Sequence, residues 1–302
     1  MFAVDVVLLT EARYESPVDP DWYKQQILHE DVLVAAALER VGLRARRLDW
    51  SRPEFDWSQT RAALFRTTWD YFFRLPEFRA WIDRVAGLTR LINPPALVRW
   101  NLDKHYLRDL QARGVHTTPT RFLEIGSRVA LPELLAETGW REAVLKPAVS
   151  GAARHTYRVR AENAADLDAV LQPLLEVEAM LLQPFQRAIP REGELSLMVI
   201  GGCYTHAVRK VAKPGDFRVQ DDHGGTAHAH TPTAEEIAFA EHAVAVCAPR
   251  PAYARVDMVR DNDGRLAIME LELIEPEMWF RVCPAAADAL AVEVARLLHD
   301  AA

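Results

Sequence analysis

Cysteine is scarce in this chain: Cys203, Cys247 and Cys283 are the only three in 302 residues, and no two form a CxxC pair. An odd, dispersed set argues against a disulfide framework and fits a reducing, cytoplasmic setting. No apolar run approaches the roughly 18 residues of a membrane span, so no membrane partner is expected. The apolar VDVVLLT stretch has no basic region before it and no small-residue cleavage site, and is expected to be a first strand rather than a signal peptide. Positive charge is not in excess. A net charge of −7 gives no reason to expect a nucleic-acid partner. No repeat with a period of about 20–50 residues is present, and no low-complexity tract. What remains is a globular composition, half hydrophobic, and long enough for about two domains.

Strand and helix patterns alternate at the start. Strands are expected at Ala3–Thr10, Leu43–Leu48, Ala62–Arg66 and Leu91–Ile92, and helices at Glu30–Val41 and from Pro76 through Val85, with a polar loop at Pro17 and Pro20. Such alternation predicts an open α/β domain over residues 1 to about 95. A helix capped by Asn101 and stopped at Gly114 comes next. Strands at Ala143–Lys146, Thr156–Val159 and Met180–Gln183 with a helix at Ala164–Leu174 make a small α+β unit. A hairpin of Leu195–Ile200 and Cys203–Lys210 turns at Gly201-Gly202. Then follow a long polar loop over Gly215–Thr231, a helix over Ala234–Val246 and a final helix over Ala285–Leu298.

The stretch Arg255–Pro276, RVDMVRDNDGRLAIMELELIEP, reads as a second hairpin turning at Asp261–Gly264. Side chains two apart share a strand face. A register with Asp257 opposite Ile268 or Glu270 therefore gathers Asp257, Glu270 and Glu272 on one face and sends Met258, Met269, Leu271 and Leu273 to the other. Three carboxylates on one face repel and call for a cation, such as a hard divalent metal. Spacing alone leaves open an ordinary half-exposed sheet neutralised by Arg255, a lysine or water.

Other candidates line up before this hairpin. Lys104 lies in NLDKHYLRDL, where a solvated helix lysine is the plain alternative. Lys146 ends an apolar strand and is followed by VSGAARHT, where the Ser150-Gly151 loop can offer backbone N–H groups to phosphate. Then come MLLQPF with Gln183, Pro184 and Phe185, GELSL with Glu194, and HAVRK with Arg209 and Lys210. This ordered set, from about Asn93 to Pro276, resembles the ATP-grasp superfamily. RTTWDY (66–71), LPEF (75–78), KPAVSGAARHT (146–156), VRKVAKPGDFRVQ (208–220) and MELELIEP (269–276) resemble the small ligases of the prokaryotic glutathione synthetase and D-cycloserine cyclo-ligase type.

The resemblance implies a three-lobe α/β architecture: an N-terminal open parallel-sheet domain over 1–116, a central lid unit over 117–185 and a C-terminal unit over 186–302, with ATP enclosed between the last two. It implies that Lys104 and Lys146 contact the phosphates, with Ser150 and Gly151 in the loop above them. Backbone groups of Gln183–Phe185 would bond adenine, and Glu194 would lie near the ribose. Arg209, with Lys146, would serve the transferred phosphate, and Asp257, Glu270 and Glu272 would hold Mg²⁺ (two ions, with Mn²⁺ able to substitute). Two departures stand out. Glu270-Leu271-Glu272 replaces the commoner Glu-x-Asn pair, and the loop after Lys146 has only Gly151.

The implied activity is ATP-dependent joining of a small carboxylate to an amine through an acyl phosphate, on an amino-acid-like substrate. Phosphoryl transfer needs positioning and charge neutralisation rather than a protein nucleophile. A phosphotransferase that stops after phosphorylation and a non-catalytic ATP-binding protein are the rival readings. Arg13, Trp69, Asp70 and Tyr71 follow strand ends, where open α/β sheets place ligands; packing is the alternative for the two aromatics, and helix capping for Asp70. Arg281 is a candidate for a substrate carboxylate, or for a salt bridge with Glu275 or Glu277. His206, His223, His228 and His230 fit no standard zinc spacing, and a polar loop over substrate is expected there. A homodimer is left open.

Overall fold

The computed structural model describes residues 4–219 and 224–300. Gln220 and His223 lie outside the described residues. Strands β1 (Val6–Thr10), β2 (Ala45–Asp49), β3 (Ala62–Thr67) and β4 (Arg90–Ile92) form a parallel sheet of order β2-β1-β3-β4. β1 and β3 are buried along their whole length, as strands covered on both faces must be. Helix α2 (Trp22–Arg40) covers Val6 and Leu8 on one face, while α3 (Leu75–Val85) covers Val7 and Leu9 on the other. α2 begins at Trp22 rather than near Glu30, because the Asp21 carboxylate accepts the Lys24 N–H at 2.8 Å and caps it there. A short helix α1 (Ala12–Glu15) opens the loop before it.

Asn101 is not a helix cap. It ends α4 (Pro95–Asn101), which the Pro94-Pro95 pair starts, and its side chain bonds Leu271 O and Leu273 N–H at 2.7 and 2.8 Å. Helix α5 (Tyr106–Ala112) starts after a turn that holds Lys104. A small antiparallel sheet follows: β5 (Arg121–Leu123), β6 (Glu142–Pro147), β7 (Tyr157–Arg160) and β8 (Met180–Pro184), in the order β5-β8-β6-β7. It is backed by α6 (Leu131–Thr138) and α7 (Ala164–Leu175). β5 and α6 are too short to announce a period.

After α8 (Ile189–Glu192), the large antiparallel sheet has the order β11-β10-β9-β12-β13. Its strands are β9 (Glu194–Ile200), β10 (Cys203–Val211), β11 (Thr226–His230), β12 (Tyr253–Arg260) and β13 (Leu266–Glu272). β11 corrects the expectation of one polar loop over Gly215–Thr231. Its TAHAH sequence pairs with Ala207–Val211 as an edge strand, held by backbone bonds, with Ala227 alone packing on the core. α9 (Ala234–Ala245) and α10 (Ala285–His299) cover this sheet, and α10 also packs on α2. Buried Asn93 joins the parallel sheet to the large one, donating to Tyr253 O and Leu273 O at 2.9 and 2.7 Å and accepting from Ala252 N–H at 2.6 Å. Among the described residues no helix is long and apolar enough to cross a membrane.

Candidate active site

A cavity of about 740 Å³ is walled by all three sheets and their loops. Twelve of the residues expected in the site line it: Lys104, Lys146, Ser150, Gly151, Gln183, Pro184, Phe185, Glu194, Asp257, Glu270, Glu272 and Arg13, and Lys210 joins them. The two antiparallel hairpins set the charged ones. Asp257 pairs with Glu270, and Arg255 with Glu272, across β12 and β13. The register then shifts, so that Met258 faces Ile268. That bulge turns Met269 into the cavity wall, against the expectation that it joins Leu271 in the core. Ala254, Val256, Met258, Ile268, Leu271 and Leu273 occupy the opposite, apolar face.

Each of the three carboxylates has a protein cation. Lys104 Nζ lies 3.1 Å from Glu270 and donates to Ser150 O at 2.8 Å. Arg255 lies 2.8 Å from both Asp257 and Glu272. Lys210 bonds Glu194 and lies 3.1 Å from Asp257, which also accepts from Ser196 Oγ at 2.5 Å. Burial resists the charge on Asp257, but Arg255 and Lys210 overcome it and hold its pKa well below the ordinary range. Burial likewise resists ionisation of Glu270, and Lys104 and Lys146 reverse the effect, leaving its pKa lowered. Glu272 goes the other way, pushed up to about 7 by burial and by Glu270 and Asp257, with Arg255 opposing. The extra charge of the Glu-x-Glu pair is thus met by the arginine directly across the ladder. Lys146 has its pKa lowered by desolvation, with Lys104 adding repulsion.

Gly193 explains how Glu194 enters the site. Its φ of +83° is in the left-handed region, and a Cβ there would collide with the Lys210 carbonyl. Glu194 itself is buried, and burial raises its pKa against the pull of Lys210.

Residues 6–93 match the family described as the N-terminal domain of D-cycloserine synthetase DcsG. Over 260 residues the chain is 35% identical to the cycloserine biosynthesis protein DcsG of Streptomyces lavendulae, covering 80% of this chain and 85% of that protein. The chain belongs to the DcsG family of ATP-grasp ligases. The crystal structure of D-cycloserine synthetase DcsG superimposes with a TM-score of 0.83 at 30% identity, over 97% of this chain and 99% of that one. The ATP-grasp ligase PsnB, solved with a phosphomimetic precursor variant, Mg and ADP, shares the fold with a TM-score of 0.64 at 16% identity, over 97% and 99% of the two chains. This DcsG-family chain is therefore an enzyme with the ATP-grasp fold, in which the parallel sheet precedes two antiparallel ones.

Three expected site residues do not line the cavity of the DcsG-family chain. Arg209 donates to Glu192 O at 2.6 Å and faces His230. An unbroken ladder from the Gly201-Gly202 turn, where Cys203 pairs with Ile200, would set Arg209 across from Glu194. A register shift between Tyr204 and His206 sets Lys210 there instead. One such slip exchanges the faces of every later residue. Asp70 accepts from Trp50 Nε1 and Arg74 Nη1 at 2.7 and 2.6 Å, so its carboxylate is held inside the N-terminal unit. Arg281 pairs with Glu277 and lies 3.5 Å from Glu30. Trp69 does line the cavity, whereas Tyr71 is core, its ring 5.1 Å from that of Phe78.

The adenine-side expectation also changes. Phe185 N–H donates to Glu142 O at 2.9 Å and its carbonyl accepts from Asn262 at 3.0 Å. Its ring, under the Arg158 guanidinium at 3.8 Å and beside Phe217 at 5.9 Å, is what it offers the cavity. His206 donates its Nε2–H to Met278 O at 2.7 Å in the core, and His230 lies beside Glu236. Among the described residues no three His, Cys, Asp or Glu side chains are clustered so as to hold a metal unaided. Sequence reading missed Arg218, Trp279 and Glu275 on the cavity wall. GDFR and IEP stood inside quoted motifs, but nothing in their spacing pointed them inward.

Proposed function

We propose that the chain is an ATP- and Mg²⁺-dependent carboxylate–amine ligase that works through an acyl phosphate on a small amino-acid-like acid. The observation that carries this reading is the cavity itself, which brings Lys104 and Lys146 together with the Asp257, Glu270 and Glu272 face. The division into units 1–116, 117–185 and 186–302 belongs to the same proposal. Asp257, Glu270 and Glu272 are all oxygen donors suited to a hard cation, and Mg²⁺ is characteristically held by one or two carboxylates plus substrate phosphates rather than by a full protein cage. Bound Mg²⁺ supplies charge neutralisation on the phosphates. Solution of PsnB, of the same fold, with Mg and ADP supports that reading.

Lys104 and Lys146 neutralise the phosphate oxygens while a carboxylate oxygen of the acid attacks the terminal phosphorus; that O–P bond forms, the bond from the phosphorus to the bridging oxygen breaks, and ADP leaves. Arg218, on the cavity wall and braced by Asp216 at 2.8 Å, takes the role that Arg209 was expected to fill, steadying the transferred group. The amine then attacks the acyl carbon; the C–N bond forms, the C–O bond to phosphate breaks, and inorganic phosphate leaves. Arg218→Ala is expected to lower kcat at least about 100-fold, with a smaller change in KM for ATP, while Arg209→Ala stays within about two-fold because it removes an exposed contact to Glu192 O. Steady-state kinetics on the two variants decides this; the reverse ranking would restore Arg209.

The reaction class is tested by stoichiometry. With ATP, Mg²⁺ and the productive substrates, ADP and inorganic phosphate should appear one for one, and hydroxylamine should divert the intermediate to a hydroxamate. Accumulation of a stable phosphorylated acid matching ADP, without free phosphate, would make the enzyme a phosphotransferase.

A further inference from the structure

The carboxylates of the site do not all have counter-ions. Asp257, Glu194, Glu270 and Glu272 each have a lysine or arginine within ion-pair reach, and Glu277 has Arg281. Glu275 lines the same cavity and has no ion pair among the described residues. It is only 7% exposed, so solvent does not substitute for one. The Tyr71 hydroxyl lies close enough for Glu275 to raise its pKa and is itself uncharged, which leaves the Glu275 charge unanswered. Burial first, then the neighbouring Glu272 and Glu270 charges, push its pKa well above the ordinary range, with Lys104 opposing. A buried carboxylate repelled by two others gains more from an incoming cation than any paired neighbour does.

The surrounding wall is aromatic. Trp69 donates its Nε1–H to Glu275 O at 2.9 Å, which fixes the indole beside this residue. Tyr14 meets Trp69 edge-on at 5.6 Å, and Tyr23 stacks on it at 6.3 Å. All three rings line the cavity, as does Trp279. Aromatic faces beside a carboxylate bind an ammonium group well, through the ring quadrupole and the charge together. A hard metal ion has no use for such a wall, since it seeks oxygen donors.

We propose that Glu275, with Trp69 and Tyr71 positioning it, forms an ammonium subsite that holds the free amino group of an amino-acid substrate at the end of the cavity walled by the parallel-sheet unit. This inference rests on the ligase reading and narrows its substrate to acids that carry an unblocked primary ammonium. Lys146 lines the same cavity, has no carboxylate within ion-pair reach among the described residues, and feels the Glu270 charge.

The test uses the full chain with ATP, Mg²⁺, and a panel of free D- and L-α-amino acids each beside its N-acetyl derivative, singly and with amine co-substrates, read as ADP release. Every active acid is expected to carry a free ammonium, and N-acetylation should abolish its turnover in the wild type. Glu275→Gln should raise KM for the best acid about ten-fold or more, as expected for loss of a charge-assisted contact, and leave KM for ATP within about two-fold. The wild-type comparison stands even if the variant fails to fold. N-acetyl acids turned over as well as their parents, or an unchanged KM in folded Glu275→Gln, would overturn the subsite while ADP release upheld the ligase. A raised Mg²⁺ requirement with unchanged acid KM would also overturn it, making Glu275 a metal ligand. No ADP release across the whole panel would remove the ligase reading and the subsite with it.

Discussion

Glu270→Gln should lower turnover by about 1,000-fold or more and should also destabilise the protein. The first effect follows from the proposed metal role, since a neutral amide is a far weaker ligand than a carboxylate and charge neutralisation on the phosphates is worth several kcal/mol. The second follows from the geometry. Read from sequence alone, three carboxylates on one face suggest that removing one charge relieves repulsion and raises stability without metal. The structure reverses that expectation, because Glu270 is the partner of Lys104 at 3.1 Å and its charge is favoured by both Lys104 and Lys146. Without it, two lysines confront each other, and Lys146 already has its pKa lowered by desolvation. A loss of roughly 1–3 kcal/mol is expected, the scale of leaving a hydrogen-bonded charged group without its partner. ADP release across a Mg²⁺ titration checks the first effect, and urea denaturation without metal or nucleotide checks the second. Wild-type turnover at ordinary Mg²⁺ would take Glu270 out of the mechanism; higher apo stability would mean that carboxylate repulsion outweighs the lysine pair.

What could be read from the sequence was whatever a period or a punctuating residue records. β1 and β3 open with the apolar runs Val6–Leu9 and Ala62–Phe65, α3 has Pro76 in its first turn, and the Gly201-Gly202 and Asp261–Gly264 turns define both hairpins of the large sheet. Alternation along β12 and β13 therefore brought Asp257, Glu270 and Glu272 to one face. Bulges were illegible, and they caused the errors that matter: the shift at Tyr204/His206 exchanged Arg209 for Lys210, and the one near Met258 turned Met269 toward the cavity. A bulge costs one residue of register and leaves no compositional mark. Polar edge strands hide for a related reason. Thr226–His230 is held by backbone bonds to β10, and its alternating face is only the two small residues Ala227 and Ala229, too weak an apolar signal to mark a strand. Long-range pairing was equally silent, as with Asn101, which looks like a helix cap and instead bonds the backbone of Leu271 and Leu273.

The largest effect on stability is expected at a residue outside the site, in Arg66→Met. Arg66 sits on β3 with its side chain 2% exposed, 2.9 Å from Asp31 and 3.2 Å from Glu30, whose side chains are each 3% exposed. Arg47 reaches Asp31 at 2.7 Å, Arg281 approaches Glu30 at 3.5 Å, and Met278 N–H donates to Glu30 at 3.2 Å. This buried network ties α2 and β3 to the segment that follows the acidic hairpin. Methionine keeps most of the volume and removes the charge, so the variant isolates the electrostatic part. Breaking a buried pair from one side typically costs about 3–5 kcal/mol, because the remaining charges stay buried without compensation. The dependence on pH supplies a second check. Burial, joined by the Glu277 charge and opposed by Arg66 and Arg281, pushes Glu30 up to about 7. With the folded pKa above the unfolded one, its contribution is fully present below the unfolded value and is lost as pH rises through about 7. Removing Arg66 raises that pKa further, so the destabilisation should be smaller at about pH 5, where Glu30 is protonated in both proteins, and larger at about pH 8. Urea midpoints at the two pH values, with nucleotide absent, measure it. A loss under about 1 kcal/mol, or one that shrinks toward alkaline pH, would mean that Arg47 and Arg281 compensate the two carboxylates without Arg66.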